Sequence, residues 1–147
     1  MFGRTELTTA AAIRRSALDL LARREHSYTE LLRKLRLRGA EQELAELELE
    51  RLQADGLLSD ARFCEAYVYS RSQRGYGPVR LREELRQRGV AESLIDEVLL
   101  QESWDWAQLA ETAFAKRFPE GAAQDLKERA RQQRFMQYRG FAGYWSS

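Results

Sequence analysis

The feature that most constrains this chain is a recurrence. Counting from Gly39, Gly89 and Gly140, the residue four before the glycine is Leu35, Leu85 and Met136. The residue one before is Arg38, Arg88 and Arg139, and the residue one after is Ala40, Val90 and Phe141. The glycines lie 50 and 51 residues apart. Self-similarity at that period marks an array of small supersecondary units, each too small to bury much apolar surface alone. The first two glycines close segments of helical spacing and suit the left-handed position just past a helix end. In the middle copy Pro78 fits the first turn of a helix, where its missing N–H costs nothing. Leu81 and Leu85 then share one face and Arg82 and Arg86 another.

The spacing of apolar residues predicts the remaining helices. The first runs from about Thr9 to Arg24, with Ala12, Leu18 and Leu21 near one face and Ile13, Ala17 and Leu20 adjoining. The second, Tyr28 to Arg38, opens on the capping-box pattern Ser27-Tyr28-Thr29-Glu30 and buries Leu31, Leu32 and Leu35. The third, about Glu41 to Ala54, carries Leu44, Leu47, Leu49 and Leu52. The next three are about Ala61 to Gln73, holding Phe63, Ala66, Tyr67 and Ser70; Pro78 to Arg88; and Ala91 to Gln101, with Leu94, Ile95, Val98 and Leu99. Trp106, Leu109, Ala110, Ala113 and Phe114 keep helical spacing up to Pro119, and Gly121 to Arg139 reads as a longer helix, its repeat equivalent being roughly Asp125 to Arg139. Nothing alternates strictly between apolar and polar residues as a half-buried strand does. The expectation is therefore all-α: a tandem array of three three-helix repeats. A flexible N-terminus takes 1–8, and the repeats take 9–57, 58–102 and 103–147. The last repeat lacks room for a full third helix after Gly140.

The net charge of +1 conceals patterning. Arg23–Arg38, Ala61–Val90 and Ala113–Arg139 each carry a net +4, and the acidic blocks Glu41–Asp60 and Ala91–Thr112 each carry −6. Of the 24 basic residues only Lys34, Lys116 and Lys127 are lysine, and arginine favours planar bidentate contact with carboxylate or phosphate. Arg82 and Arg86, like charges four apart, weaken an isolated helix by a few tenths of a kcal/mol, roughly, and an anionic partner would relieve that. The balanced total argues against binding nucleic acid by charge alone. Cys64, the one cysteine, lies in an apolar run, reads as a small buried side chain and fits a reducing cytosol. His26, the only histidine, reads as a turn residue. Trp104, Trp106 and Phe114 read as packing. There is no phosphate-cradling Gly-Lys-Ser/Thr loop, no metal-spaced cluster, no nucleophile with a histidine and no apolar run long enough to span a membrane, so neither an enzyme nor a cofactor is expected.

Several runs resemble one family. The segment Phe63 to Tyr69, then Arg71, Arg74-Gly75-Tyr76-Gly77-Pro78 and Leu85-Arg86-Gln87-Arg88-Gly89, is similar to the central signature of the RecX family. So are Ala22-Arg23-Arg24-Glu25-His26-Ser27 with Glu30-Leu31, the turn Asp55 to Phe63, and Arg134-Phe135-Met136-Gln137-Tyr138-Arg139-Gly140-Phe141. The resemblance covers about Leu18 to Phe141. It implies a cytoplasmic protein, three tandem three-helix repeats in a curved, elongated body, and binding to the RecA recombinase. The family is thought to lie in the groove of the RecA–DNA filament and to depress its ATPase and strand exchange. One departure is the short tail Ala142 to Ser147, where family members continue into another helix.

The basic blocks and the resemblance together nominate side chains facing a partner. Arg71, Arg74 and Tyr76 precede Pro78, and Arg80, Arg82, Arg86 and Arg88 follow it. Arg36 and Arg38 belong to the first block, and Arg131, Arg134 and Arg139 to the third. The expected partners are the RecA filament and, through it or weakly directly, single-stranded DNA, met by a monomer. Two alternatives stand beside this: a helix-turn-helix protein that reads DNA directly, and a helical scaffold with no nucleic acid nearby. Against the first, Ala91 to Gln101 carries Glu92, Asp96 and Glu97 and no basic residue, and would meet phosphates with like charge.

Overall fold

In the computed structural model residues 7–145 are described, and among them every regular element is an α-helix. They are α1 Ala10–Arg23, α2 Tyr28–Leu37, α3 Gln42–Ala54, α4 Asp60–Gln73, α5 Pro78–Gln87, α6 Glu92–Leu99, α7 Trp106–Arg117 and α8 Leu126–Tyr138. The all-α expectation holds. The first six residues of the expected flexible N-terminus lie outside the described residues, and Leu7, from the same segment, is buried in the core. After α8 residues 142–144 form only a turn.

The recurrence has a backbone explanation. Gly39, Gly89 and Gly140 have φ of +100°, +78° and +95°. At the end of α2 the Gly39 N–H donates to the Arg36 carbonyl at 3.0 Å and the Ala40 N–H to the Leu35 carbonyl at 3.0 Å. At the end of α8 Gly140 donates to Gln137 at 3.0 Å and Phe141 to Met136 at 3.1 Å. This is the Schellman arrangement, which satisfies the last carbonyls of a helix and brings an apolar residue past the glycine onto one in the last turn. In α2 and α8 the residues four before and one after the glycine are that apolar pair. Leu35, Ala40, Leu85, Val90, Met136 and Phe141 are all buried.

By spatial clustering the chain divides into two compact units. The first comprises Met1–Cys64 and Arg88–Val90, and the second Glu65–Gln87 and Ala91–Ser147. In the first, α1, α2 and α3 pack on one another around Ile13, Leu31, Leu35, Leu49 and Leu52. The capping box forms as its sequence requires. The Ser27 hydroxyl accepts from the Glu30 N–H at 3.1 Å, and Glu30 Oε1 accepts from the Ser27 N–H at 3.1 Å. In the second unit α5 packs against α6, and Leu81, Leu85, Ile95, Val98 and Leu99 are buried.

Four local expectations need correction. Leu47 is exposed, because α3 buries Ala45, Glu48, Leu49 and Leu52, and Leu47 lies about 200° around the helix from Leu49. Ala66 and Ser70 are exposed, because α4 buries Phe63, Cys64, Val68 and Ser72 instead. The last helix begins at Leu126, with Asp125 accepting from the Glu128 N–H as its cap, so the stretch from Gly121 is not helical. His26 is more than a turn residue, being only 1% exposed.

The surroundings of His26 fix its charge. Its Nδ1 lies 3.1 Å from the Arg24 carbonyl, which can only accept, so Nδ1 carries the proton. Nε2 then accepts from the Lys34 ammonium at 2.9 Å. Burial holds this imidazole below its ordinary 6.5, and the charges of Arg24 and Lys34 act the same way. The folded state therefore binds fewer protons than the unfolded chain below that value, and stability falls as pH drops through it toward the folded pKa. Glu30 and Glu84, held below 4.5, lose their contribution only in more acid solution. The urea midpoint of the native protein is thus expected to fall between about pH 7.5 and about pH 5.5, and that of His26→Gln to change much less. Parallel behaviour of the two proteins over this window would refute the assignment.

Candidate functional site: arginines and aromatic rings of the second unit

The site is built on Tyr76, in the turn between α4 and α5. Three guanidinium groups meet its ring: Arg71 at 3.9 Å from the centroid, Arg80 at 4.7 Å and Arg139 at 4.7 Å. Each comes from a different element, the end of α4, the first turn of α5 and the C-cap of α8. Tyr138 extends the cluster, with Arg80 4.6 Å from its ring.

Glycines make this approach possible. The Gly77 N–H donates to the Arg139 carbonyl at 2.7 Å, and the Val79 N–H to the Gly140 carbonyl at 3.1 Å. A Cβ on Gly77 would lie 2.6 Å from the Gly140 carbonyl oxygen, so two backbone segments touch where only hydrogen fits.

Glu84 pairs with two of these arginines, leaving the three groups with a net charge of +1. It accepts from Arg71 Nε and Nη2 at 3.1 and 2.8 Å, from Arg80 Nε at 3.0 Å and from the Tyr67 hydroxyl at 2.8 Å. Burial alone would raise the Glu84 pKa, but the hydrogen bonds from Arg71, Tyr67 and Arg80 bring it below its ordinary value. Arg71, with Glu84 outweighing its own desolvation, is raised.

Of the sequence-nominated residues, Arg71, Tyr76, Arg80 and Arg139 meet at this cluster, and Arg74 joins through its carbonyl, which accepts from Arg139 Nη1 at 3.1 Å. Arg82 and Arg86 do not present a bare basic face. Arg82 Nη1 donates to Glu92 at 3.0 Å and also to Asp96, and Arg86 pairs with Glu92 and Glu83. The anionic partner that relieves their repulsion is the neighbouring helix α6, which corrects the reading of α5 as a strained helix awaiting a ligand. Arg131 pairs with Glu128 at 3.7 Å, and Arg134 is exposed on α8. Arg36, Arg38 and Arg88 belong to the first unit. There Arg38 donates to the Ser16 hydroxyl at 2.7 Å, Arg36 to the Ala40 carbonyl at 3.4 Å, and Arg88 lies 3.9 Å from Glu30. The tryptophans pack as expected: Trp104 and Trp106 stack at 5.7 Å and donate to the carbonyls of Val98 and Leu99.

Sequence reasoning missed Lys116 and Arg117. They form the last turn of α7 and stand with Arg74 and Arg139 around one cavity. Basic residues at a helix end are normally read as complements to its dipole, so nothing local marked them out.

Comparison with known proteins agrees with this architecture. The family model described as RecX, second three-helix domain, matches residues 59–99. A regulatory protein RecX of Pseudomonas putida strain KT2440 is 51% identical over 92% of this chain and 86% of its own length. One of Pseudomonas entomophila is 51% identical over 92% and 88%. Among solved structures, a regulatory protein RecX superposes with a TM-score of 0.68 at 23% identity, over 90% of this chain and 68% of the other. RecX from Lactobacillus salivarius gives 0.70 at 16% identity, over 90% and 88%. Identity near one half across nine-tenths of the sequence leaves one conclusion: the chain belongs to the RecX family of regulatory proteins.

Proposed function

We propose that this protein binds the RecA–DNA filament as a monomer in the cytoplasm and lowers RecA's ATPase and strand-exchange activity. The observation that carries the reading is family membership, through relatives about half identical that are named regulatory proteins and not enzymes. The Tyr76 cluster fits it chemically. Guanidinium groups held against aromatic rings are ordered before any partner arrives, and can meet acidic protein surface or the phosphates and bases of single-stranded DNA. Charge complementarity of this sort sets orientation and association rate more than raw affinity. The direct DNA-reading alternative is weakened further by α6, whose Glu92 and Asp96 are engaged with Arg82 and whose surface carries no cation.

The test is the rate of RecA's DNA-dependent ATP hydrolysis on single-stranded DNA with increasing amounts of this protein. A dose-dependent fall is expected. An unchanged rate with the protein in excess, together with no retention on filaments, would leave the scaffold reading in its place.

A further inference from the structure

A cavity of about 300 Å³ opens in the second unit beside the Tyr76 cluster. The end of α4, one face of α7 and the end of α8 line it. Four of its lining residues are cations, Arg74, Lys116, Arg117 and Arg139, and none is a carboxylate.

Arg71 and Arg80 are paired with Glu84, Arg82 and Arg86 with α6 and Glu83, and Arg131 with Glu128. The four cavity cations make no ion pair with any described residue. Of the unit's cations without an ion pair to a described residue, these four line the cavity, and Lys127, Arg129 and Arg134 are spread along α8.

Two of the four are also held in place. Arg139 Nη1 donates to the carbonyls of Arg74 and Gly75 at 3.1 and 3.4 Å, and its guanidinium lies 4.8 Å from the Phe135 ring. Arg117 lies 5.0 Å from Phe118 and 5.5 Å from Phe135. Gly75, at φ +89°, leaves the space that Arg139 uses: a Cβ there would sit 3.1 Å from Arg139 Nη1. Aromatic contact fixes these guanidinium planes and leaves N–H groups available, so less freedom is lost when an anion binds.

We propose that this cavity binds a phosphate monoester or polyphosphate group. Four cations around one cavity exceed what an internal phosphodiester, with a single charge, can neutralise. A terminal phosphate carries about −1.5 to −2 and three strong acceptor oxygens, and a polyphosphate carries more. Two sources present this chemistry: a free nucleotide, or the 5′-phosphorylated end of a nucleic-acid strand. The inference does not depend on RecA, and its test uses none.

The experiment is titration calorimetry at about 0.15 M salt, where diffuse attraction beyond roughly 8 Å is screened. The probes are inorganic triphosphate and one short oligonucleotide prepared with a 5′-phosphate and with a 5′-hydroxyl. The variants are Lys116→Ala/Arg117→Ala and, with the same change in net charge, Arg23→Ala/Lys127→Ala, whose side chains are exposed and do not line the cavity. Circular dichroism checks the fold of each. Triphosphate is expected to bind the native protein, to lose affinity by about tenfold or more in the cavity variant, and to lose less than about threefold in the other. If the 5′-phosphate strengthens oligonucleotide binding and the cavity variant abolishes that gain, the strand end is the source. If it makes no difference while triphosphate binds, the source is the free nucleotide. No binding of triphosphate or of the phosphorylated strand, or equal losses in the two variants, would overturn the proposal.

Discussion

Leu85→Ala is expected to lower the free energy of unfolding by about 2–5 kcal/mol, the sum of lost transfer free energy and the cavity left behind. Leu85 is fully buried, sits in the last turn of α5 and shares its buried face with Leu81 and Pro78. Closely packed interiors relax only partly around a missing side chain, so most of the cavity term remains. Leu35, its counterpart in α2, is equally buried, and Leu35→Ala is expected to cost a similar amount. Leu85→Met keeps the volume and is expected to cost less than about 1.5 kcal/mol. Urea melts supply the check, the midpoint moving to lower concentration while the slope stays constant. An unmoved midpoint for both alanine variants would mean that these leucines do not carry the core.

Gly140→Ala is expected to destabilise far more than Gly39→Ala, although the two glycines hold the same place in the recurrence. Both lie at positive φ, so each alanine bears the left-handed penalty of roughly 1–2 kcal/mol. At Gly39 nothing lies within 4 Å of the added methyl. At Gly140 the methyl would sit 2.6 Å from the Arg80 backbone nitrogen and 2.8 Å from the Gly77 carbonyl oxygen. Backbone cannot swing aside as the end of a side chain can, so an overpacking cost of about 1–3 kcal/mol is added. The same displacement would break the Gly77 to Arg139 and Val79 to Gly140 hydrogen bonds and loosen Arg139 against Tyr76. Thermal or urea unfolding of the two variants side by side measures the difference. Equal losses would show that the approach of the Gly77 turn to the end of α8 contributes nothing to stability.

What the sequence determined by itself was mostly what is settled within one helix and its cap. The apolar pairs around Gly39 and Gly140 go with a Schellman ending, whose hydrogen bonds join residues three and five apart. Ser27 and Glu30 specified the start of α2, again over a short span. The 50-residue period pointed to an array of small units, the lack of strand-like alternation to an all-α chain, and the Arg74-Gly75-Tyr76-Gly77-Pro78 run with its companion motifs to the family.

The buried face of α3 and α4 was legible only in part. Leucine is common on both sides of α3, and the choice of Leu49 over Leu47 depends on which side the neighbouring helices cover. Only the tertiary structure decided which arginines remain uncompensated. Arg82 and Arg86 read as a bare basic face until α6, beginning six residues beyond Arg86, placed Glu92 and Asp96 on them. Arg74, Lys116, Arg117 and Arg139 come from three separate elements and belong to one site only because the chain folds back on itself. Ion pairs and cavities are set by distance in space, and charge at a distance in sequence carries no local signal of whom it will meet.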